Sequence, residues 1–174
     1  MSCVIGLLHE GKVYIASEGI ATTDDGEKRP IIANKVFRND KYLIGFTGSV
    51  RSGQILGPKF FEPPSNIYEF PDAIRELLFD KGSIVINNET QQHLTACNFL
   101  LGYQGRLFEI LMDFQLNEVL GDFTAVGSGS PYAMGALYAS KKWNSPEKRL
   151  KIALDAACEF DTSCGLPYTI EVME

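Results

Sequence analysis

The chain has 174 residues, of which 45% are hydrophobic and 22% charged, a composition typical of one globular domain (1–174) and unlike that of disordered or fibrous proteins. The net charge is −6 and no basic block stands out, which argues against a nucleic-acid partner. No apolar run reaches the roughly 20 residues of a membrane-spanning helix, and the first residues do not resemble a signal peptide, so we expect a cytosolic location and no membrane partner.

The first part of the chain consists of strand patterns separated by turns. The first strand is apolar with little alternation, which indicates burial on both of its faces. A turn at His9-Glu10-Gly11 makes the first two strands a hairpin, and Asn39-Asp40 does the same for the last two, so we expect an antiparallel sheet. The polar segment 24–30 is predicted to be a surface loop. The predicted strands are 2–8, 12–17, 19–23, 35–38 and 42–46.

Helical patterns follow. The segment 49–61 favours a helix only weakly, because three breakers interrupt it, namely Gly53, Gly57 and Pro58. The segment 71–80 is a clearer helix, with Pro71 at its first position and its apolar residues on one face. A further helix is predicted at 130–142.

The last helix has the strongest pattern in the chain. Ser145 is suited to cap it, and Pro146 is suited to its first turn. Its apolar residues lie at helical spacing and predict one buried stripe. They are Leu150, Ala153, Leu154, Ala157 and Cys158.

Four more strands are predicted in the second half, at 98–103, 106–113, 123–126 and 168–173, and the first two are joined by a Gln104-Gly105 turn. The segment 83–92 gives no clear pattern. Strands and helices therefore occur in separate runs, which indicates an α+β layered fold instead of alternating βαβ units.

The cysteines at 3, 97, 158 and 164 form no C-x-x-C pair. With only His9 and His93 as other soft ligands, they give no zinc pattern, and we predict neither a metal nor another cofactor. In the cytosol the thiols are expected to be reduced.

Several segments occur together in a recognisable order. These are the opening hairpin, Lys35-Val36, the G-F-T-G segment 45–48 and the G-S-G-S-P-Y-A segment 127–133. The ordered set resembles the β-type subunits of proteasomes over nearly the whole chain, and is most similar to the bacterial proteasome-like peptidase that pairs with an ATPase unfoldase. The resemblance implies the N-terminal-nucleophile hydrolase fold, a four-layer αββα sandwich of two antiparallel sheets flanked by helices.

The resemblance also implies a chemistry. In this family an N-terminal side chain attacks the peptide carbonyl, and the α-amino group of the same residue is the base. A free α-amine titrates at about pH 8, so it can accept a proton at neutral pH. Ser2 matches the family's N-terminal threonine once Met1 has been removed, and it keeps the hydroxyl but lacks the methyl group.

Three more residues match catalytic positions of the family. Glu18 matches an aspartate and is one methylene longer. Lys35 matches a buried lysine that holds positive potential beside the nucleophile and keeps the amine neutral. Gly48 matches a glycine whose backbone N–H donates to the developing oxyanion, a contribution of about 3 kcal/mol per donor.

Residues later in the chain complete this set. Ser128 matches a serine near the α-amine, and Asp161 matches the aspartate that orients it. Cys164 stands where many members have a second serine, and its thiol is a weaker hydrogen-bond partner. Ser52 replaces a commonly acidic position. The chain departs from the family at Ser2, Glu18 and Cys164.

The resemblance places the substrate as well. Thr22 and Val50 match positions whose backbones bind the substrate as an added strand. Ala21 and Phe46 match positions that help to line the side-chain pocket, and a phenylalanine there favours a shallow or apolar pocket.

Simpler interpretations stay open for these residues. Ser2 is a residue type that commonly follows Met1, Lys35 would be solvated on a strand, Glu18 would lie in a turn, and Asp161 would cap the end of a helix. Cys3 is an alternative nucleophile if Ser2 is also trimmed, although a packed strand residue is favoured. The Gly127-Ser128-Gly129 segment fails the dinucleotide fingerprint at Tyr132, and no G-x-S-x-G motif supports a His–Ser triad.

The resulting hypothesis is a proteasome-like endopeptidase for unfolded polypeptides. The family resemblance implies a homo-oligomeric ring and, by analogy only, an ATPase unfoldase partner. Two alternatives are a catalytically idle proteasome-fold subunit with an assembly or binding role, and an N-terminal-nucleophile amidase acting on a small amide, because one fold hosts several chemistries.

Overall fold

The structure is a computed structural model that describes residues 2–22, 27–29 and 34–174. Along the described ranges a run of strands is followed by two helices, a second run of strands, two more helices and a final strand. The strands are β1 (Val4–His9), β2 (Lys12–Glu18), β3 (Ala21–Thr22), β4 (Lys28–Arg29), β5 (Val36–Asn39), β6 (Tyr42–Gly48), β7 (Val85–Ile86), β8 (His93–Leu94), β9 (Cys97–Tyr103), β10 (Arg106–Ile110), β11 (Leu116–Glu118), β12 (Phe123–Val126) and β13 (Tyr168–Met173). The α-helices are α1 (Val50–Ile55), α2 (Phe70–Asp80), α3 (Ser130–Ala139) and α4 (Pro146–Phe160), and a 3₁₀ turn, Ile67–Glu69, precedes α2.

Two antiparallel sheets organise these strands. The first sheet has the order β12-β1-β2-β13, and the second sheet has the order β11-β10-β9-β6-β5. One face of each sheet contributes to a shared apolar layer, because alternate residues along a strand point to the same side. This layer contains Val4, Val13, Ile15, Val36, Leu43, Leu100, Leu107, Val126 and Met173.

The opposite faces of the two sheets are covered by helices. The apolar stripe of α4 and residues of α3 pack on the first sheet, in a cluster that includes Ile5, Leu7 and Leu154. The aromatic-rich outer face of the second sheet packs against α1 and α2, in a cluster that includes Phe70 and Phe99. The layers therefore run helix, sheet, sheet, helix, and the predicted αββα sandwich is confirmed.

Local sequence signals explain most of the elements. Strands β12 and β13 have the predicted bounds, and the Ser145 side chain caps α4 by accepting a hydrogen bond from the Lys148 backbone N–H at 3.3 Å. Four of the five predicted stripe residues of α4 are buried, and Cys158 is half-buried. The near-continuous burial predicted for the first strand is also found.

Some bounds differ from the prediction. The helix predicted at 49–61 ends at Ile55, because Gly57 and Pro58 follow it, and the helix predicted at 130–142 ends at Ala139. Pro71 stands at the second position of α2 because the helix starts one residue earlier. The strand predicted at 106–113 ends at Ile110.

Short pairings were missing from the prediction. The β7–β8 pair lies at the edge of the unassigned segment 83–92, and β11 adds a strand to the second sheet. The loop predicted at 24–30 contains the short strand β4, which pairs with β3, and residues 24–26 and 30 of that segment lie outside the described residues. Two- and three-residue strands have too little periodicity to be predicted. No helix in the described ranges is long and apolar enough to span a bilayer.

Candidate active site

The sandwich opens at one end into a cavity of about 750 Å³. Residues from both sheets form its walls, together with the loops where β6 and β12 end. The lining residues are Ser2, Thr22, Thr47, Gly48, Ser49, Ala96, Asn98, Glu109, Ala125, Val126, Gly127, Ser128 and Ser130.

Ser2 lines this cavity two residues before β1 and is 3% exposed. Its carbonyl oxygen accepts hydrogen bonds from the Gly129 backbone N–H at 3.2 Å and from the Ser128 hydroxyl at 3.5 Å. A Cβ atom at Gly127 would lie 2.2 Å from that same oxygen, and Gly127 has a φ of +99°. Only glycine tolerates both this conformation and this close approach, so the 127–129 segment holds Ser2 through its backbone.

Glu18 and Lys35 form a buried ion pair beside the start of the chain. Their side chains are 0% and 3% exposed. Lys35 also donates to the Ile20 carbonyl at 2.6 Å, and Glu18 accepts from the Ile20 backbone N–H at 3.0 Å. The Glu18 backbone N–H donates to the Cys3 carbonyl at 3.4 Å, which links the pair to the residue after Ser2. Lys35 is therefore not a solvated lysine, and both charges have several partners.

Gly48 ends β6 at the cavity wall. It has a φ of +92°, and a Cβ atom there would lie 1.8 Å from the Ala96 carbonyl oxygen. A glycine is needed at this position, and its backbone is exposed to the cavity. Ser49 then turns the chain into α1 by accepting a hydrogen bond from the Ser52 backbone N–H at 3.2 Å.

Asp161 and Cys164 lie behind the 127–129 segment. Asp161 ends α4, and its carboxylate accepts from the Ser163 backbone N–H at 2.7 Å, so it caps a local turn. Cys164 is fully buried, and a Cβ atom built at Gly129 would lie 2.9 Å from its Sγ. Neither residue lines the cavity, whereas Ser128 does.

The predicted substrate-binding residues are divided. Thr22 in β3 lines the cavity, and Ala21 beside it pairs with Arg29 in the β3–β4 hairpin. Val50 is the first residue of α1, and its neighbour Ser49 lines the cavity in its place. Lys28 of β4 donates to the Cys164 carbonyl at 2.9 Å, which ties the hairpin to the segment after α4.

The structure places Phe46 in the core and outside the lining of this cavity. It is 2% exposed and belongs to the core between the second sheet and the helices, where its ring lies within 2.3 Å of a Cβ built at Gly53. Alternation along β6 directs Phe46 to the helix side and Thr47 to the cavity side. The residue of β6 that lines the cavity at this point is therefore Thr47, which is polar.

The prediction missed the wall contributed by the second sheet. Thr47, Asn98 and Glu109 come from three neighbouring strands, and all three line the cavity. Burial raises the pKa of the Glu109 carboxyl above its ordinary value. The sequence signal was a polar residue where strand alternation predicts an apolar one. Asn98 is two residues from Leu100 in β9, and Glu109 is two residues from Leu107 in β10.

The cysteines do not line the cavity. Cys3 is fully buried between the first sheet and the helices, and burial, followed by the charge of Glu18, raises the pKa of its thiol to about 12. A thiol in this state is protonated and packed, which disfavours Cys3 as a nucleophile. Within the described residues, no group of three His, Cys, Asp or Glu side chains could hold a metal ion.

Comparison with known proteins gives structural relatives only. No protein-family model and no curated protein matches the chain. The solved structure of Thiobacillus denitrificans BPH is 27% identical, with a TM-score of 0.84 over 99% of this chain and 97% of that one. The same protein in complex with epoxomicin is 26% identical, with a TM-score of 0.78 over 99% and 98% of the two chains.

A third solved structure, eukaryotic HslV from Trypanosoma brucei, is 21% identical, with a TM-score of 0.73 over 99% of each chain. These matches confirm the resemblance to proteasome β-subunit-like N-terminal-nucleophile hydrolases that the sequence pattern indicated, and they support a proteasome-like protease.

Proposed function

We propose that this protein is a proteasome-like peptidase that hydrolyses peptide bonds of unfolded polypeptides, with Ser2 as the nucleophile after Met1 has been removed. The observation that supports this proposal most is the position of Ser2. It lines the cavity and is held through its carbonyl by the 127–129 segment, and Gly48 lines the same cavity from the second sheet. Ser2, the proposed source of the hydroxyl, and Gly48, the proposed backbone donor for acyl transfer, thus line one cavity.

The proposed reaction has two halves. The Ser2 hydroxyl attacks the scissile carbonyl and passes its proton to the α-amine of the same residue, which then protonates the leaving amine. A water molecule cleaves the resulting ester by the reverse proton transfers and regenerates Ser2. The Gly48 backbone N–H donates to the oxyanion in both halves.

The buried ion pair supplies the electrostatic part of the proposal. The ammonium of Lys35 is held in place by Glu18 and by the Ile20 carbonyl. Its positive charge near the start of the chain favours the neutral form of the α-amine, which is the form that accepts a proton. The longer Glu18 still reaches Lys35, so the change from aspartate keeps the pair.

Substrate would bind in extended form across the cavity mouth. Thr22 in β3 and the backbone after Gly48 would present backbone groups to it, as in other cases of strand addition. Such binding is independent of most side chains, which suits unfolded polypeptides.

The assembly and location are part of the same proposal. We expect a homo-oligomeric ring with the cavities facing an inner chamber, and by analogy an ATPase unfoldase partner. Large aromatic side chains are exposed on and after α3 and α4 and would become buried between subunits, namely Tyr132, Tyr138, Trp143 and Phe160. A cytosolic location would keep the four free thiols reduced.

The test begins with the intact mass of the purified protein, which shows whether Met1 is present. Protein with a free Ser2 is then assayed on fluorogenic peptides. We expect turnover that falls roughly 10³-fold or more in Ser2→Ala and is retained in Ser2→Thr. Ser65→Ala is the matched control, because Ser65 is exposed on the surface and distant from the cavity lining.

Epoxomicin provides a second measurement, because it forms a complex with the related Thiobacillus BPH. We expect it to bind the protein with a free Ser2 and to block turnover. Protein that has lost Met1 yet neither cleaves peptides nor binds epoxomicin would instead be an idle subunit. Turnover of small amides without turnover of peptides would indicate an amidase.

A further inference from the structure

The second-sheet wall of the cavity has a polar surface that the proposed chemistry does not use. Thr47 and Asn98 are directly opposite each other in the β6–β9 register. Glu109 is opposite Leu100 in the β9–β10 register, which places it diagonally across from Asn98 on the same face. The three side chains give the second-sheet wall a polar surface that extends across three strands.

This polar surface continues onto the edge strand β11, where Asn117 is opposite Glu109, and it gives way to apolar residues deeper in the sandwich. Deeper in the sandwich, the same face of the same strands carries Leu43, Leu100 and Leu107, all buried against the first sheet. The change to polar residues occurs where the face meets the cavity. Water at the strand ends would satisfy the hydrogen-bonding group of a serine or threonine. A glutamate, in contrast, brings a full negative charge to a half-buried position.

Within the described ranges, the Glu109 carboxylate has no partner to offset that charge. Among the residues that the structure describes, no hydrogen bond or ion pair involves its side chain. Its pKa is raised by burial, with no cation to oppose the shift. Buried carboxylates in proteins are normally paired, so an unpaired one facing a cavity is suited to a cationic ligand.

We propose that Glu109 makes this cavity select substrates with a cationic side chain, arginine or lysine, in contact with the second-sheet wall. The inference rests on the proposed peptidase function, because it assigns the substrate class of the same site. Glu109 would accept charge-assisted hydrogen bonds from the guanidinium or ammonium group. The side-chain oxygens of Asn98 and Thr47 could accept the remaining N–H donors.

The dimensions and charge of the protein agree with this assignment. A cavity of about 750 Å³ has room for a long side chain beside an extended backbone. The net charge of −6 attracts cationic polypeptides in general, but among the described lining residues only Glu109 places a carboxylate in the cavity. The selectivity should therefore depend on one residue and not on overall charge.

The experiment compares matched peptides that differ only in charge. Fluorogenic peptides carry arginine, or its neutral isostere citrulline, at each position in turn near the scissile bond. We expect kcat/KM to be about tenfold higher for arginine at one position in the wild-type protein. That ratio should fall towards one in Glu109→Gln. In Glu109→Lys, peptides with glutamate at that position should be cleaved faster than matched peptides with glutamine.

Glu171→Gln is the matched control. It removes one negative charge from β13, outside the cavity lining, and should keep the wild-type ratio. A wild-type ratio near one at every position, or an equal change in Glu109→Gln and Glu171→Gln, would overturn the proposal.

A binding measurement separates this inference from the proposed function. The Ser2→Ala protein is titrated calorimetrically with the arginine and citrulline peptides, which requires no turnover. We expect the arginine peptide to bind about tenfold more tightly, and the difference to disappear when Glu109→Gln is added. If wild-type protein cleaves no peptide but this difference is present, the peptidase proposal fails and the cation site stands. Equal affinities would reject the cation site even in an active peptidase.

Discussion

On the first-sheet side of the site, Glu18 is fully buried and bonded to both Lys35 and the Ile20 backbone, whereas on the second-sheet wall Glu109 is half-buried and has no partner among the described residues. Both carboxylates lie close to the same end of the sandwich. The Glu18 carboxylate is ion-paired and hydrogen-bonded within the protein, whereas the Glu109 carboxylate faces the cavity.

This difference separates structure from ligand recognition. A buried ion pair that is fully hydrogen-bonded holds its neighbours in place, and losing one partner leaves an uncompensated charge. An unpaired carboxylate at a cavity wall raises the free energy of the folded state when it is ionised, and a ligand of opposite charge can reverse that cost. We therefore expect opposite effects on stability when the two residues are changed.

The largest effect is expected from Lys35→Met. It leaves the Glu18 carboxylate buried with only a backbone donor, and we expect the free energy of unfolding to fall by about 3–5 kcal/mol in urea denaturation. Adding Glu18→Gln to the same protein should recover a large part of that loss. A single variant as stable as the wild type would show that the pair does not stabilise this side of the site.

A second effect concerns how the first-sheet side holds Ser2. In Gly127→Ala the new Cβ would meet the Ser2 carbonyl oxygen at 2.2 Å, so Ser2 must move and peptidase activity should fall roughly 100-fold. The unfavourable φ alone costs about 1–3 kcal/mol of stability.

Gly121→Ala is the matched control for Gly127→Ala. Gly121 has a φ of +113°, but a Cβ there would meet nothing within 4 Å. This variant should lose a similar amount of stability and keep its activity. Equal activity in the two variants would mean that the contact with Ser2 has no catalytic consequence.

The smallest effect is expected from Glu109→Gln on the second-sheet wall. Because burial raises the pKa of Glu109, the folded state favours its protonated form, and stability is lost as the pH rises through the folded-state pKa. The glutamine variant should therefore have a slightly higher Tm than the wild type at neutral pH. Below the unfolded-state pKa of about 4.5 the two proteins should melt together.

Thermal melts from pH 4 to 8 measure this difference, with Glu171→Gln again as the charge control. A lower Tm for Glu109→Gln at neutral pH would mean that the carboxylate has a stabilising partner. In that case the contrast between the two walls would no longer hold.

The sequence predicted more of the fold than of the site. Strands β12 and β13, the Ser145 cap and the buried stripe of α4 follow from local periodicity and capping, which are properties of short segments. The β7–β8 pair and the strand β11 were missed because strands this short are defined by their hydrogen bonds to a neighbouring strand and not by a periodic pattern of their own.

For the site, the resemblance supplied the candidates and the geometry divided them. Ser2, Thr22, Gly48 and Ser128 meet at one cavity, whereas Asp161 and Cys164 lie behind it and Phe46 lies in the core. Their catalytic roles stay predictions.

By itself the sequence determined the order of the main elements and an α+β layered fold, because periodicity and turns are encoded along the chain, and the family resemblance carried by the motif order implied the αββα layering. Only the tertiary structure decided which residues share the cavity. Thr47, Asn98 and Glu109 are far apart in sequence, and strand pairing and register bring them onto one face. Glu109 is two residues beyond Leu107 and therefore on the same face as the leucines, and this register leaves it facing the cavity without a partner among the described residues.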